Sequence, residues 1–286
     1  MKIVAGAKAF DEADWLLASG AAEVYCGIPG LPNHRDADQC LESDDEFIRI
    51  SRMARSRGKK ALLALNQACF EKDYPEVARR TKALVKSGAG GVIVTELPLL
   101  HYLLASGLKT DFIVSSLALT FNSRTLDYYS GLGVKRVILP FHLIPSEAGC
   151  FIKNPYGIDT EIFFHADFCC VNMDPACRLD GWLKSYQVCR LDYTSRGKPF
   201  RMPDANVPQK LDVVYDAYHA GVKYLKIIRR YHFAEEAEIF KQALCMLALL
   251  KKGVSRTEFA RLGERLYFAV SRNKKENEKS PGAQRP

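Results

Sequence analysis

The stretch Ser87-Gly88-Ala89-Gly90-Gly91-Val92-Ile93-Val94 decides the fold of this chain. A helix-like pattern ends at Gly88, and a short apolar run follows within a few residues. Glycine just past a helix supplies the left-handed conformation that ends it, and a short apolar run is typical of a parallel strand buried on both faces. The stretch therefore predicts a helix–glycine–strand unit, which belongs to alternating α and β structure.

The same unit occurs six times along the chain. Its terminating glycines are Gly20, Gly58, Gly88, Gly107, Gly131 and Gly221. Two further apolar runs, one at the N-terminus and one that leads to His165, bring the predicted strands to eight. They are residues 2–5, 23–27, 60–65, 91–95, 112–115, 135–139, 161–165 and 222–228. Eight strands alternating with helices predict an α/β fold of the (β/α)8 TIM-barrel type, with a doubly wound open sheet as the alternative.

Length and composition are consistent with one globular domain. The chain has 286 residues, of which 48% are hydrophobic and 26% charged, and these values exclude disordered and fibrous classes. We expect the barrel to occupy residues 1–270. Residues 271–286 are polar and basic without apolar periodicity, which predicts a disordered basic tail. The formal net charge of +8 permits an anionic substrate or RNA and requires neither.

Two observations bear on compartment. The longest apolar run, from Ala243 to Leu250, is eight residues, whereas a membrane helix needs about 18. Asp11 and Glu12 interrupt the N-terminus before a signal-peptide core could form. We therefore expect a cytoplasmic protein without a membrane segment, in which the nine cysteines are not disulfide-bonded.

Most of these cysteines fall on the predicted catalytic face. Barrel chemistry takes place at the C-terminal ends of the strands, and two loops at that end are long: residues 27–43 after strand two, and residues 166 to about 207 after strand seven. Two cysteines, Cys150 and Cys245, lie elsewhere and are predicted to be core or packing residues. Seven lie at or beyond strand ends: Cys26, Cys40, Cys69, Cys169, Cys170, Cys177 and Cys189. Their irregular spacing favours an iron–sulfur cluster over zinc.

The segment from Glu161 to Arg190 carries a family resemblance. A strand ends in His165, Cys170 and Cys177 are separated by six residues, and Gln187-Val-Cys-Arg190 follows. These features resemble the signature of the collagenase-like peptidase family of unassigned catalytic type, peptidase family U32. Further matches are Val24-Tyr-Cys-Gly27, Gly133-Val-Lys-Arg-Val137 and Lys226-Ile227. The resemblance covers roughly residues 2–230.

The resemblance implies a cofactor and a set of site residues. Members of this family often bind a [4Fe–4S] cluster, and the matching ligands here are Cys40, Cys170, Cys177 and Cys189. His165 and Arg190 would lie nearby as catalytic residues. The sequence departs from the family pattern where Ser185 replaces an expected cysteine and Ile228 an acidic residue. Cys169 is an alternative to Cys170, and Cys40 is assigned as the fourth ligand because no cysteine follows between Arg190 and Leu244.

The resemblance also implies a function. Characterised relatives are associated with oxygen-independent hydroxylation of RNA bases or of quinone precursors. We therefore expect a redox enzyme acting on RNA or on a small aromatic or quinone precursor. One alternative is a peptidase, as the family name states. Another is a non-catalytic cluster-binding subunit that works in a hetero-oligomer with a related family member.

Several residues outside the cysteine set are also candidates. Lys226 lies within an apolar strand, so its charge should have a partner or line the barrel mouth. Three polar residues at the ends of strands three to five, Asn66, Glu96 and Ser115, are candidates for lining the pocket. Cys26 and Cys69 are expected to be packing residues at the mouth.

Overall fold

The computed structural model describes residues 1–35, 37–140, 143, 147–164, 193–200, 206–228 and 232–278, the last eleven by their backbone alone. Its centre is a closed barrel of eight parallel strands. The barrel strands are β1 (Lys2–Gly6), β2 (Glu23–Cys26), β3 (Lys60–Leu65), β4 (Gly91–Val94), β5 (Phe112–Val114), β6 (Arg136–Ile138), β7 (Asp159–Phe163) and β10 (Tyr224–Ile227). Their order around the barrel is β1-β10-β7-β6-β5-β4-β3-β2. The predicted (β/α)8 barrel is confirmed, and the open-sheet alternative is wrong.

Helices follow the strands and pack around the barrel. They are α1 (Phe10–Ala18), α2 (Asp44–Ser56), α3 (Tyr74–Lys86), α4 (Leu97–Ala105), α5 (Ser123–Gly131), α6 (Gly149–Ile152), α7 (Val207–Ala220), α8 (Phe233–Lys251) and α9 (Arg256–Glu278). A two-stranded antiparallel hairpin, β8 (Tyr193–Ser195) and β9 (Lys198–Phe200), lies between β7 and α7 in the chain. No helix in the described parts of the chain combines the length and apolar character needed to cross a membrane.

The glycines that end the helices behave largely as the repeating unit predicts. Five of the six predicted positions have positive φ: Gly20, Gly58, Gly88, Gly107 and Gly221. The sixth, Gly131, instead lies inside α5, and Gly133 adopts the left-handed conformation two residues later with φ of 78°. The stop moves by two residues, because Leu132 still has right-handed helical geometry.

The final helix departs from the sequence prediction. Helix α9 was not anticipated, and it extends from Arg256 to Glu278, eight residues into the predicted disordered tail. Its first half is anchored on α7, where Phe259 is buried and its ring lies 5.5 Å from that of Tyr215. Lysine, glutamate and arginine favour helical backbone without apolar periodicity, so an anchored helix can continue through a polar segment.

The strand register places the inward-facing side chains in layers of four, each from alternate strands. From the N-terminal end, the first layer is Glu23, Gly91, Arg136 and Tyr224, and the second is Val4, Leu62, Ile113 and Glu161. The third is Tyr25, Ile93, Ile138 and Lys226. The fourth, at the C-terminal mouth, is Gly6, Ala64, Ser115 and Phe163. Alternate residues face outward and form the larger core against the helices.

Candidate functional site at the barrel mouth

Cys40 lies in the ordered loop that follows β2. Its thiol is buried and donates a hydrogen bond to Asn33 Oδ1, with Sγ and Oδ1 3.4 Å apart. Asn33 is itself buried, and its Nδ2 donates to the carbonyls of Ile28 and Leu31 at 3.1 and 2.9 Å. Those two bonds fix the amide so that its oxygen faces Cys40. The loop thereby holds the Cys40 sulfur in a defined position beside the end of β2.

Gly27 allows this close approach. It directly follows β2, and a Cβ added there would lie only 2.5 Å from Asn33 Oδ1 and 3.1 Å from Arg35 Cδ. Any side chain at this position would displace both neighbours. Asn33, Arg35 and Cys40 therefore form a compact corner against the β2 end of the mouth, which we call the Cys40 corner.

Arg35 covers the interior of the barrel from this corner. Its guanidinium donates to the carbonyls of Ala7 and Gln39 at 3.1 and 3.0 Å. It also stacks over the ring of Tyr25, with Cζ 4.7 Å from the ring centroid. Arg35 thus joins the ends of β1 and β2 and adds a positive charge close to Cys40. A cation in this position stabilises a thiolate or another anion.

A second polar corner follows β3 and β4. Glu96 Oε2 accepts a hydrogen bond from the Cys69 backbone N–H at 3.2 Å and lies 3.8 Å from the Cys69 sulfur. Burial, with the nearby charge of Glu96, raises the pKa of the Cys69 thiol to about 12. The same two causes raise the pKa of Tyr74. Cys69 packs against the core, as the sequence predicts, and its raised pKa favours the protonated thiol.

The barrel interior contains a buried chain of charges. Arg136 binds both carboxylate oxygens of Glu23, at 2.7 and 2.8 Å, and its Nη1 also contacts Glu161 Oε2 at 2.7 Å. Lys226 Nζ lies 3.3 Å from Glu161 Oε1 and 3.8 Å from the centroid of the Tyr25 ring. Burial alone would lower the pKa of Arg136, but its bonds to the two carboxylates outweigh it and raise the pKa. The expectation that Lys226 has a partner is confirmed.

The remaining mouth candidates have structural contacts. Asn66 Oδ1 accepts from the His34 backbone N–H at 3.2 Å and so ties the β2 and β3 loops together. Ser115 is buried in the fourth layer, and its hydroxyl accepts from the Leu117 backbone N–H at 3.3 Å. Sequence reasoning did not identify the acidic members of the interior network, Glu23 and Glu161. Each is a charged residue at the start of a strand predicted to be buried, but its partner depends on the register across the barrel.

The predicted ligands are described only in part. Cys40 is at the mouth, whereas His165, Cys169, Cys170, Cys177, Cys189 and Arg190 lie outside the described residues. Within the described ranges, no group of three or more His, Cys, Asp and Glu side chains could hold a metal ion. The convergence of four sulfurs therefore stays a prediction.

The other cysteines divide by exposure. Cys26 is fully buried in the layer between the barrel and the helices, and burial raises the pKa of its thiol to about 12. Cys150 and Cys245 are exposed, so their assignment as core or packing residues was wrong. Both lie on helices, and the outward face of a helix cannot be distinguished from its buried face by a single cysteine.

Comparisons with known proteins place the chain among its relatives. The family model of peptidase family U32 matches residues 8–252. The solved structure of the U32 peptidase Mk0906 superposes with a TM-score of 0.53 at 12% identity, covering 81% of this chain and 94% of that one. No curated protein matches the sequence.

Other solved barrels are similar at a lower level. An oxaloacetate acetylhydrolase superposes with a TM-score of 0.49 at 12% identity, covering 99% of this chain and 94% of that one. A 2,3-dimethylmalate lyase of the PEP mutase/isocitrate lyase superfamily gives 0.48 at 11% identity, with coverage of 97% and 93%. The likeness to the U32 peptidase structure shows the fold alone. The family match extends across nearly the whole barrel, from Lys8 to Lys252, and the chain therefore belongs to peptidase family U32.

Proposed function

We propose that this chain is an iron–sulfur enzyme that carries out redox chemistry, of the oxygen-independent hydroxylation type, at the barrel mouth. The observation that supports it best is the Cys40 corner. A buried sulfur lies at the C-terminal end of β2, held by Asn33 and close to the guanidinium of Arg35. Barrel active sites occur at this end, and a thiolate ligand needs such a protected, electropositive position.

The chemistry of the donor set fits a cluster. Cys40 would be one ligand of a [4Fe–4S] cluster, and Cys170, Cys177 and Cys189 would supply the others from the chain that follows β7. Asn33 would orient the Cys40 sulfur, and Arg35 would balance negative charge. When bound, a cluster would supply one-electron chemistry at the mouth. His165 and Arg190 keep their proposed roles in proton transfer and in binding an anionic group.

The substrate would be RNA or a small aromatic or quinone precursor. Apolar side chains on the segments that follow three neighbouring strands, β3, β4 and β5, support an aromatic substrate. Those that are at least a third exposed are Phe70, Leu97, Leu119 and Phe121. Exposed rings at a mouth provide stacking surfaces for planar groups such as bases or quinols.

A peptidase has less support from the described residues. A cysteine nucleophile must be a thiolate, yet burial raises the pKa of Cys26 and Cys69 to about 12. A Cys–His pair built from His165 with Cys169 or Cys170 is the remaining form of that alternative. A non-catalytic cluster-binding subunit in a hetero-oligomer is the third.

Anaerobic purification followed by visible absorption tests the proposal. We expect a brown protein with broad absorption near 400 nm, typical of cysteine-ligated clusters, that bleaches on addition of dithionite. A colourless, correctly folded protein would contradict it. Hydrolysis of gelatin by that colourless protein would support the peptidase. A coloured protein that is inactive on RNA and quinone precursors by itself, but active together with a related family member, would favour the non-catalytic subunit.

A further inference from the structure

The fourth interior layer of the barrel is unusually small. Three of its four members, Gly6, Ala64 and Ser115, have at most two heavy atoms in the side chain, and Phe163 provides the only large wall. The third layer beneath it is filled by large residues, among them Tyr25 and Lys226. Layers of a TIM barrel normally fill the interior with bulky side chains. The described side chains of the fourth layer therefore fill less of the interior than those of the third layer.

Lys226 lies at the floor of this level with incomplete hydrogen bonding. It is only 5% exposed, and an ammonium has three N–H donors. One faces Glu161 Oε1 at 3.3 Å in an ion pair that lacks hydrogen-bond alignment, and one lies over the Tyr25 ring. Within the described part of the chain, Lys226 Nζ has no hydrogen bond. A buried donor left in this way costs about 1–3 kcal/mol, so an acceptor is expected.

A second unsatisfied group lies further toward the mouth. Thr95 follows β4 at an inward-facing position, and its buried Oγ1 has no hydrogen bond to any described residue. Lys226 and Thr95 thus lie on either side of the layer of small residues, and each has a buried polar atom without a hydrogen bond to a described residue. Their combination favours a ligand with at least one oxygen.

The charges of the interior favour a neutral oxygen. Among the described residues of the buried network, two cations, Arg136 and Lys226, face two carboxylates, Glu23 and Glu161, so the charges of this network sum to zero. The guanidinium of Arg35, which lies over the Tyr25 ring, already donates to backbone carbonyls. An added carboxylate or phosphate would lose its hydration and add a negative charge to this balanced network, which is costly. A carbonyl or amide oxygen would accept a hydrogen bond from the Lys226 ammonium without that cost.

We propose that Lys226 is a substrate-binding residue that donates a hydrogen bond to a neutral carbonyl-type oxygen of a planar group lying in the fourth layer against Phe163. The inference shares with the proposed function the location of the site at the mouth, and it does not depend on iron. Lys226 orients the substrate, and the chemistry at the mouth then acts on a fixed group.

Two matched probes test this inference on the purified full-length chain. Benzamide and benzoate share ring and size, but only benzoate is charged. Their dissociation constants are measured by ligand-observed NMR titration. We expect benzamide to bind more tightly than benzoate, and Lys226→Met to weaken benzamide binding about tenfold or more. Ala64→Leu fills the fourth layer and should weaken benzamide binding to a similar extent. This variant provides the test if Lys226→Met does not fold.

Lys60→Met is the control, because Lys60 is also a strand lysine but pairs with Asp111 at the opposite end of the barrel. We expect it to bind benzamide like the unchanged protein. Failure of benzamide to bind, preference for benzoate, or unaltered binding in both mouth variants would overturn the inference. Iron content measured on the same samples separates the outcomes, since probe binding without iron retains this inference and contradicts the cluster.

Discussion

At the scale of single residues, Gly27 determines the geometry of the Cys40 corner. Its missing side chain lets Asn33 approach the end of β2 while bonding to the Ile28 and Leu31 carbonyls. Asn33 in turn positions the Cys40 thiol. The position of the Cys40 sulfur at the mouth therefore depends on a residue that itself has no functional group.

Gly27→Ala should destabilise the protein by about 1–3 kcal/mol, because its Cβ would overlap the buried Asn33 amide. Gly131→Ala is the matched control, since nothing lies within 4 Å of its Cβ position and it is within a helix. The control should be unchanged or slightly stabilised. Urea unfolding measures both free energies. Equal stabilities for the two variants would show that the corner accommodates a side chain.

The cysteines should differ in reactivity because they differ in exposure and in the pKa of the thiol. The thiolate is the reactive form, and a pKa of about 12 leaves roughly one thiolate in ten thousand at pH 8. Cys26 is also fully buried, whereas Cys245 is exposed on α8.

Alkylation with iodoacetamide at pH 8, read by peptide mass spectrometry, should modify Cys245 and Cys150 well before Cys69, and Cys26 last. Raising the pH should speed modification of Cys69 about tenfold per unit, since its thiolate fraction increases up to a pH near 12. Rapid, pH-independent labelling of Cys69 would contradict a protonated thiol at that corner.

At the scale of secondary-structure elements, the interior charges join strands that are distant in sequence. Arg136 on β6 reaches Glu23 on β2 across the barrel and Glu161 on the neighbouring β7, and Lys226 on β10 completes the set. Buried charges of this kind hold a register because each must meet its partner. The network therefore fixes the position of Lys226 beneath the mouth.

Arg136→Met should cost about 3–5 kcal/mol of unfolding free energy, because Glu23 and Glu161 would lose their buried partner. Arg79→Met removes an exposed bridge to Glu76 and should change stability by less than about 1 kcal/mol. Thermal and urea unfolding provide the comparison. A loss no larger than that of the surface variant would mean that the interior charges are hydrated rather than paired.

At the scale of the whole molecule, the barrel could be predicted because its signal is repeated. A glycine stop and an apolar run recur six times along the chain, and all eight strands lie within two residues of their expected bounds. The network of Arg136, Glu23 and Glu161 could not be predicted, since it depends on register across the barrel. The first half of helix α9 could have been predicted, because Phe259, Leu262 and Leu266 recur at helical spacing; its extension to Glu278 could not, because that part of the segment is polar.

The candidate site could be predicted less completely. The sequence identified Cys40 and the need of Lys226 for a partner, and the structure places both at the mouth end of the barrel. The role of Asn33 depends on a turn that brings it back onto Gly27, and no spacing rule encodes that contact. Exposure of Cys150 and Cys245 similarly depends on which helix face meets the barrel.

The most direct test of the iron–sulfur proposal is the iron and sulfide content per chain after anaerobic purification, compared between the unchanged protein, Cys40→Ser and Cys245→Ser. We expect about four irons per chain for the unchanged protein and for the exposed-cysteine control, and a clear loss for Cys40→Ser. Circular dichroism would verify that all three are folded. Iron-free unchanged protein would contradict the cluster, and full iron in Cys40→Ser would remove Cys40 from its ligands.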